Sequence, residues 1–425
     1  MTSWKTTPVE KFEVAVIGGG AAGMTAAIAA AKAGARVILL ERNDRLGKKI
    51  LMTGNGKCNL GNTDLKQTDY YSDNMAMVAS VLERFGAEDT IAFFSSLGLC
   101  IKEKNGYLYP LSEQASVVLD VLRYGLERYG VSILTDAMVQ CLQQMESEVY
   151  YLILQDGRRI QADRVILTCG GQASPKTGSD GNGYTLARGL GHRIISPLPS
   201  LVQLHCSEKY CKALAGVRAE GTVRIYMGKK ELVCEEKGEI QLTEYGISGI
   251  PVFQLSGKVN QLLAQGKKLM AELDFFPQYE SDVFEKFCRE RLKYMKSATV
   301  EVFFTGMLHK KLMQVCIRLA GLNPQQRVSD ADPQKVKQVF ILCRRLPFTI
   351  TGSHSFESAQ VSRGGVSLLD VDTDLQSIHH KGLYLAGEIL HVDGRCGGYN
   401  LHWAWASGTI AGNTAAESLQ QKQRR

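Results

Sequence analysis

Proline is scarce, with 10 in 425 residues against a usual share of ~5%, and no low-complexity linker interrupts the chain. There is no Gly-X-Y period, which excludes a collagen-like fibre. With 44% apolar and 22% charged residues, a disordered chain is excluded as well. The eleven cysteines form no CxxC pair and their number is odd; without a secretory leader they read as reduced thiols of a cytoplasmic protein. His205, Cys206 and Cys211 lack zinc spacing, and no metal site is expected. The uncharged stretch Val14–Ala31 has the length of a membrane helix, but it opens as a strand followed by Gly18-Gly19-Gly20, so no membrane span is expected. Charge never runs to five residues of one sign, which weighs against nucleic acid as a partner.

Glycine and positive charge are present in excess and localised. Of 42 Gly, more than half fall in the windows 18–61, 170–191 and 382–412. Glycine is needed where backbone turns with positive φ or meets a ligand closely, so the three windows are candidates for the walls of one site. The net charge is +7, and residues 256–350 carry all of it, with 16 Lys/Arg against 9 Asp/Glu. A solvated helical surface is the plain reading; a patch for an anionic partner is the sharper one.

Val14–Ile17, a glycine turn, Ala21–Ala33 and Arg36–Leu40 read as strand, turn, helix and strand, a βαβ unit with parallel pairing. Helices are expected over Ala76–Phe85 and Ser116–Tyr129. Short strands follow from Val131 to Ala162, leading into a separate strand at Arg164–Thr168. Residues 195–255 read as β-rich and 256–325 as helical, where Phe284, Phe287, Cys288, Leu292 and Met295 share one face. Strands return after Pro347, and Leu401–Ala416 is a closing helix.

The first chemical motif is Gly18-x-Gly20-x-x-Gly23, with Glu41 at the end of the next strand. Such glycines permit a tight turn, close approach of backbone to a pyrophosphate, and helix–strand packing. The helix N-terminus offers free N–H groups to phosphate, and an acid about 20 residues on bonds ribose hydroxyls. Together they predict a dinucleotide site. Leu385-Ala-Gly387-Glu388 and Gly397-Gly398-Tyr399-Asn400-Leu401 add a second glycine-rich strand end and helix start. A helix N-terminus there would stabilise negative charge on a reduced flavin pyrimidine, which favours FAD over NAD.

Val14–Gly23, Gly47–Asn59 and Asp393–Trp405 resemble the bacterial BaiN-like (aminoacetone-oxidase-like) FAD-binding flavoproteins, and the resemblance covers nearly the whole chain. It implies an α/β fold: a Rossmann-like FAD-binding domain of glutathione-reductase type, with an inserted β-barrel-like domain and a helical subdomain. The corresponding boundaries are 1–194 and 347–425, 195–255 and 326–346, and 256–325. It also implies that Gly18, Gly20, Ala22 and Glu41 hold the pyrophosphate and ribose, with Arg42 beside the adenosine and Lys48 and Lys49 as phosphate neighbours. Thr53, Gly54 and Asn59 would line the flavin and ribityl chain. Val139 would meet adenine and Gly170 would close over the cofactor. Glu388, Gly398, Asn400 and Leu401 would bind the ribityl and pyrimidine ends. The chain departs from the family pattern at His391, where Asp is expected, at His402, where Gln is common, and at Arg363 before Gly364-Gly365-Val366. All three are expected near substrate.

Flavin chemistry occurs at N5, with the protein supplying geometry and charge. No second GxGxxG follows a strand, so no dedicated NAD(P)H domain is expected; either NAD(P)H docks transiently at the flavin as reductant, or the substrate reduces the flavin and oxygen reoxidises it. His391, Cys396 and Tyr399 are the candidates for proton transfer; Cys58 reads as a packed thiol. The expectation is a FAD-dependent oxidoreductase, and the resemblance implies a small or steroid-like substrate whose conjugated enone is reduced. An amine oxidase using oxygen, an RNA-modifying or RNA-binding flavoprotein, and a FAD-binding regulator without turnover are the alternatives.

Overall fold

The computed structural model describes residues 9–145, 148–228 and 231–423; of the N-terminal segment, residues 1–8 lie outside them. The chain divides into two compact units, Met1–Leu198 with Val361–Arg425, and Pro199–Gln360.

The first unit is built on β1 (Glu10–Ile17), α1 (Ala21–Lys32), β2 (Val37–Leu40), β3 (Ser132–Leu134), β4 (Val139–Gln144), β5 (Tyr150–Leu154), β6 (Arg159–Leu167) and β7 (Leu383–Leu385). The sheet order is β3-β2-β1-β6-β5-β4, with β7 also paired to β6. β1 runs parallel to β2 and to β6, Ile17 facing Leu40 on one side and Leu167 on the other. Buried on both faces, these central strands read as continuous apolar runs. β6 is one strand where the sequence suggested two. It continues through Arg164, only 2% exposed, because the guanidinium bonds Ser418 Oγ at 2.7 Å.

α1 packs along the closing helix, α2 (Tyr399–Gln423). The helix faces meet almost backbone to backbone. A Cβ added at Gly408 would lie 2.5 Å from the Ala22 carbonyl oxygen, and one at Gly412 would strike the Ala26 carbonyl. Alanines on α1 give the matching flat surface, with Ala22, Ala26 and Ala30 buried.

The second unit is built on a closed six-stranded barrel. Its strands, in order round the barrel, are Leu204–Cys206, Gly246–Ser248, Glu231–Thr243, Arg218–Met227, Leu269–Asp274 and Leu346–Ser353. Two boundaries expected from sequence are corrected. Leu346–Ser353 pairs with Leu269–Asp274 and with Leu204–Cys206, so residues 347–360 belong to the barrel unit rather than to the FAD-binding domain. Leu269–Asp274 is a barrel strand inside the span read as helical, and Pro333–Arg344 is a helix inside the span read as β-rich. The helix Ser281–Met295 does turn its apolar stripe inward, with Phe284 buried against Phe276 and Phe340.

Gly408→Ala tests the helix–helix contact. Alanine in a helix interior normally stabilises by up to ~1 kcal/mol over glycine, yet here its methyl would meet a backbone carbonyl. We expect net destabilisation of about 1–3 kcal/mol, as overpacked cores show, read as a lower thermal midpoint together with reduced flavin content.

Candidate functional site

The turn between β1 and α1 is held by contacts from β6. Thr168 Oγ1 donates to the carbonyls of Ile17 and Gly18, both at 2.9 Å. Gly18, at φ +107, lies so close that a Cβ would stand 2.5 Å from the Thr168 carbonyl oxygen. A Cβ at Gly20 would instead meet nothing within 4 Å, so open space lies above the free N–H groups of α1. That is the geometry a pyrophosphate requires.

Glu41 is buried and accepts three hydrogen bonds, from the Gly19 N–H (2.8 Å), the Asn43 N–H (2.8 Å) and Asn43 Nδ2 (2.7 Å). An ionised carboxylate has about four acceptor positions, which leaves room for a ribose hydroxyl. Arg42 pairs with Asp180 at 2.5 Å, joining the first glycine window to the second. The Val139 carbonyl accepts from Asn182 Nδ2 at 3.5 Å, and Gly170 sits at φ +75 against Ser179.

Neither lysine after Gly47 is a free cation. Lys48 pairs with Asp44 at 2.7 Å and Lys49 with Glu388 at 2.7 Å. Both residues expected as phosphate neighbours are thus ion-paired within the protein, and Lys49 fixes a carboxylate 339 residues away. The other Glu388 oxygen accepts from the Ser362 N–H at 2.9 Å, a contact that the sequence motifs did not reveal. Ser362 Oγ also accepts from the N–H groups of Gln172 and Ala173. The third glycine window thereby meets the second.

The loop Thr53–Asn59 turns through a run of positive φ at Gly54, Asn55, Gly56 and Cys58. Cys58 is fully buried, and burial pushes its thiol up to about 12, which fits a packed thiol. Asn59 is 8% exposed and its Oδ1 is buried without a hydrogen-bond partner. Gly398 backs directly onto Asn59 and Gly61, at the N-terminus of α2. A buried acceptor without a donor costs about 1–3 kcal/mol, and the N–H of a flavin pyrimidine would satisfy it. The residues present fit FAD on that observation.

The side chain of Asn400 has a different role from the one expected. Its Nδ2 donates to the carbonyls of Gly394 (2.8 Å) and Arg395 (3.3 Å), while its Oδ1 accepts from the Gly394 N–H. It clasps the loop before α2, leaving only its backbone N–H for a ligand. Leu401 is half-buried one residue further on.

The three proton-transfer candidates differ sharply. Burial pushes the Cys396 thiol up to about 12, which excludes a thiolate near neutral pH. Tyr399 donates to the Asp64 carbonyl at 3.2 Å, and burial raises it to about 12. His391 is 3% exposed with Nδ1 unpartnered; burial lowers its pKa against the opposing pull of Asp73 and Asp393. His402, expected near substrate, is a core residue. It is fully buried, with Nε2 3.1 Å from the Phe85 carbonyl and Nδ1 3.0 Å from Thr90 Oγ1. A carbonyl only accepts, so the proton sits on Nε2 and Nδ1 takes the Thr90 hydroxyl.

A βαβ pyrophosphate turn, an acid on the second strand and a second helix start facing a buried orphan acceptor define a FAD-binding enzyme fold. The comparisons agree. The chain matches the HI0933-like protein Rossmann domain over residues 12–414, and it belongs to that family. It is 42% identical over 95% of its length, and 99% of the relative's, to a 3-dehydro-bile acid delta(4,6)-reductase of Clostridium scindens. It is 28% identical over 92% of its length, and 95% of the relative's, to a ribosomal RNA dihydrouridine synthase of Haemophilus influenzae. The fold is similar to that of a 3-ketosteroid delta1-dehydrogenase from Sterolibacterium denitrificans, with TM-score 0.51 and 13% identity over 96% of this chain and 100% of that one. The protein is a FAD-dependent oxidoreductase. Among the described residues no helix is long and apolar enough to cross a membrane, and no group of three or more His, Cys, Asp or Glu could hold a metal.

His402 makes a pH prediction. Burial lowers its pKa from 6.5 to about 4, so the unfolded chain binds this proton more readily. Its neutral form contributes stability above pH 6.5, and that stability is lost as pH falls toward 4. The loss is on the order of 3 kcal/mol. In His402→Gln the fall in thermal midpoint between pH 7 and 4.5 should be visibly shallower than in the wild type; equal slopes would contradict the assignment.

Proposed function

We propose that this enzyme reduces the carbon–carbon double bond of a conjugated enone in a small or steroid-like substrate, with NAD(P)H as transient reductant. The 42% identity across essentially the whole length of the bile-acid reductase is the observation that carries this reading. FAD, when bound, supplies hydride chemistry at its N5 position.

The chain's own residues bind and orient. Gly18, Gly20 and Ala22 offer the turn and helix N–H groups to the pyrophosphate, while Glu41 takes a ribose hydroxyl. Arg42, Val139 and Gly170 surround the adenosine side. Thr53, Gly54 and Asn59 line the flavin, with Glu388 at the ribityl chain. The backbone N–H groups of Gly398, Asn400 and Leu401 face the pyrimidine end, where the helix dipole favours negative charge. Reduction of an enone leaves charge on the carbonyl oxygen until a proton reaches the α-carbon, so the site needs a donor and a proton source. Tyr399, held protonated, and His391, neutral near pH 7, are suited to hold that proton.

A ribosomal RNA substrate is the second reading, and the dihydrouridine synthases favour it. Saturating the ring double bond of uridine is also hydride addition conjugate to a carbonyl. Four of the 16 cations of the basic segment serve the barrel unit itself, which reduces the support it gives. Arg344 pairs with Asp274, Arg291 caps the carbonyls of Phe303 and Thr305, and Lys311 and Lys335 bond the carbonyls of Ala215 and Gly321.

Anaerobic mixing with NADH or NADPH should bleach the flavin band near ~450 nm, and a 3-keto-4,6-diene steroid should restore it. Flavin that is reduced by amines and reoxidised only by oxygen would sink the reductase reading. Tight binding of ribosomal RNA that weakens steeply with salt, with uridine as the oxidant, would replace it with the second.

A further inference from the structure

Arg363, the residue before Gly364-Gly365-Val366, is held from two directions. Nε lies 3.0 Å from Asp393 Oδ1 and Nη2 lies 2.9 Å from Oδ2, a side-on pair. Its guanidinium also sits 4.0 Å from the centre of the Tyr71 ring. Tyr71 is itself fixed opposite Asp393 in the two-stranded ladder of Tyr70–Ser72 with Val392–Gly394. With Nε and Nη2 committed to Asp393, the bonds that Arg363 makes among the described residues leave Nη1 unused.

Tyr71 also meets His391, the second residue expected to depart from the family pattern. The ring of His391 meets it edge-on at 5.5 Å, and His391 Nδ1 is buried with no hydrogen-bond partner. Two polar groups with unused bonding capacity therefore bear on one aromatic ring. The cluster adjoins the carboxylate assigned to the ribityl chain, since Ser362, next to Arg363, donates its N–H to Glu388. Its charges balance: Arg363 against Asp393, and Arg193 against Asp73 at 3.2 Å. A balanced cluster suits a neutral carbonyl better than a carboxylate.

We propose that Arg363 is a catalytic residue whose Nη1 hydrogen-bonds the carbonyl oxygen of the enone, with Asp393 and Tyr71 as positioning residues. The assignment rests on the enone-reduction reading above. Hydride adds to the β-carbon, the π electrons move onto the carbonyl oxygen, and the resulting enolate accepts the Nη1–H bond. A proton held at Tyr399 or His391, and replaced from solvent, then adds to the α-carbon and yields the saturated ketone. The two electrons come from the nicotinamide reductant by way of the bound flavin. A donor aimed at developing charge acts most strongly in the transition state.

The test separates the two half-reactions of the FAD-loaded enzyme by stopped flow, using NADPH or NADH and then a 4,6-dien-3-one steroid. A titration of the saturated 3-keto steroid, followed by perturbation of the flavin spectrum, reads binding independently. In Arg363→Ala, reoxidation by the dienone should fall about 10²–10³-fold, steroid binding should weaken, and bleaching should stay within about two-fold of wild type. Added guanidinium should restore part of the rate. Because Arg363→Ala removes the ion-pair partner of the buried Asp393 carboxylate, the double variant Arg363→Met with Asp393→Asn removes both charges and should show the same selective loss. Reoxidation at the wild-type rate in either variant overturns the proposal, as does an equal loss in both half-reactions with loss of flavin. Wild-type enzyme that no enone reoxidises overturns the reading on which the assignment rests, a result distinct from either of those.

Discussion

The close contact between α1 and α2 is the constraint on which the first unit depends. Gly408 and Gly412 let the closing helix approach until its backbone nearly touches the carbonyls of Ala22 and Ala26. The N-terminus of α1 is the pyrophosphate turn and that of α2 faces Asn59, so this one contact sets the spacing between the two ends of the cofactor cradle. Other bonds reinforce it. Trp403 Nε1 donates to the Gly387 carbonyl, Gly387 N–H donates to Ser407, and Trp405 Nε1 donates to Leu60. Helix, strand end and flavin-side loop are thus tied to α2, the strand end through Trp403 and Ser407 on one face and the loop through Trp405 on another. Small residues are needed on both helices because the interior is packed to near-crystalline density, and an extra methyl has nowhere to go.

Around that backbone-built cradle, charge is arranged in compensated pairs. Lys49 with Glu388 and Arg363 with Asp393 are both partly or largely buried, at 23% and 20%, and 13% and 3% exposure. Burying such pairs costs desolvation that their attraction offsets only in good geometry, so they add little net stability. What they do provide is fixed direction. Glu388 is held by a cation and a backbone N–H at once, and Arg363 by a carboxylate and an aromatic face. A site whose fixed groups are already neutralised does not depend on the cofactor or the substrate to balance its charge.

The legible part of this molecule was the part written in local pattern. Gly18-x-Gly20-x-x-Gly23 and Glu41 announced the βαβ unit because turn geometry and strand spacing are sequential properties. Membership of Leu346–Ser353 in the barrel was hidden, since it depends on partners at Leu204–Cys206 and Leu269–Asp274 that no local signal specifies. Side-chain engagement was hidden for the same reason. Lys48 and Lys49 look alike in sequence, yet one pairs four residues away and the other across 339 residues. Asn400 had the residue type of a flavin ligand, but the bend at Gly394 brought it a nearer partner. Buried orphan atoms such as Asn59 Oδ1 have no sequence signature at all, because orphanhood is a property of the neighbours.

The three departures from the family pattern looked equivalent in sequence and are not equivalent in space. His402 lies on the inner face of α2 and finds both of its bonds within the core, at Phe85 and Thr90. Its identity is therefore a packing solution. Arg363 and His391 lie on different segments, one on the strand Val361–Val366 and one before Val392–Gly394, yet both bear on Tyr71 and on the Asp393 carboxylate. A change at one alters the field at the other. Substrate differences within the family are then expected in these two facing segments. The inner face of α2 is constrained by the contact with α1, and it cannot vary without moving the cofactor cradle.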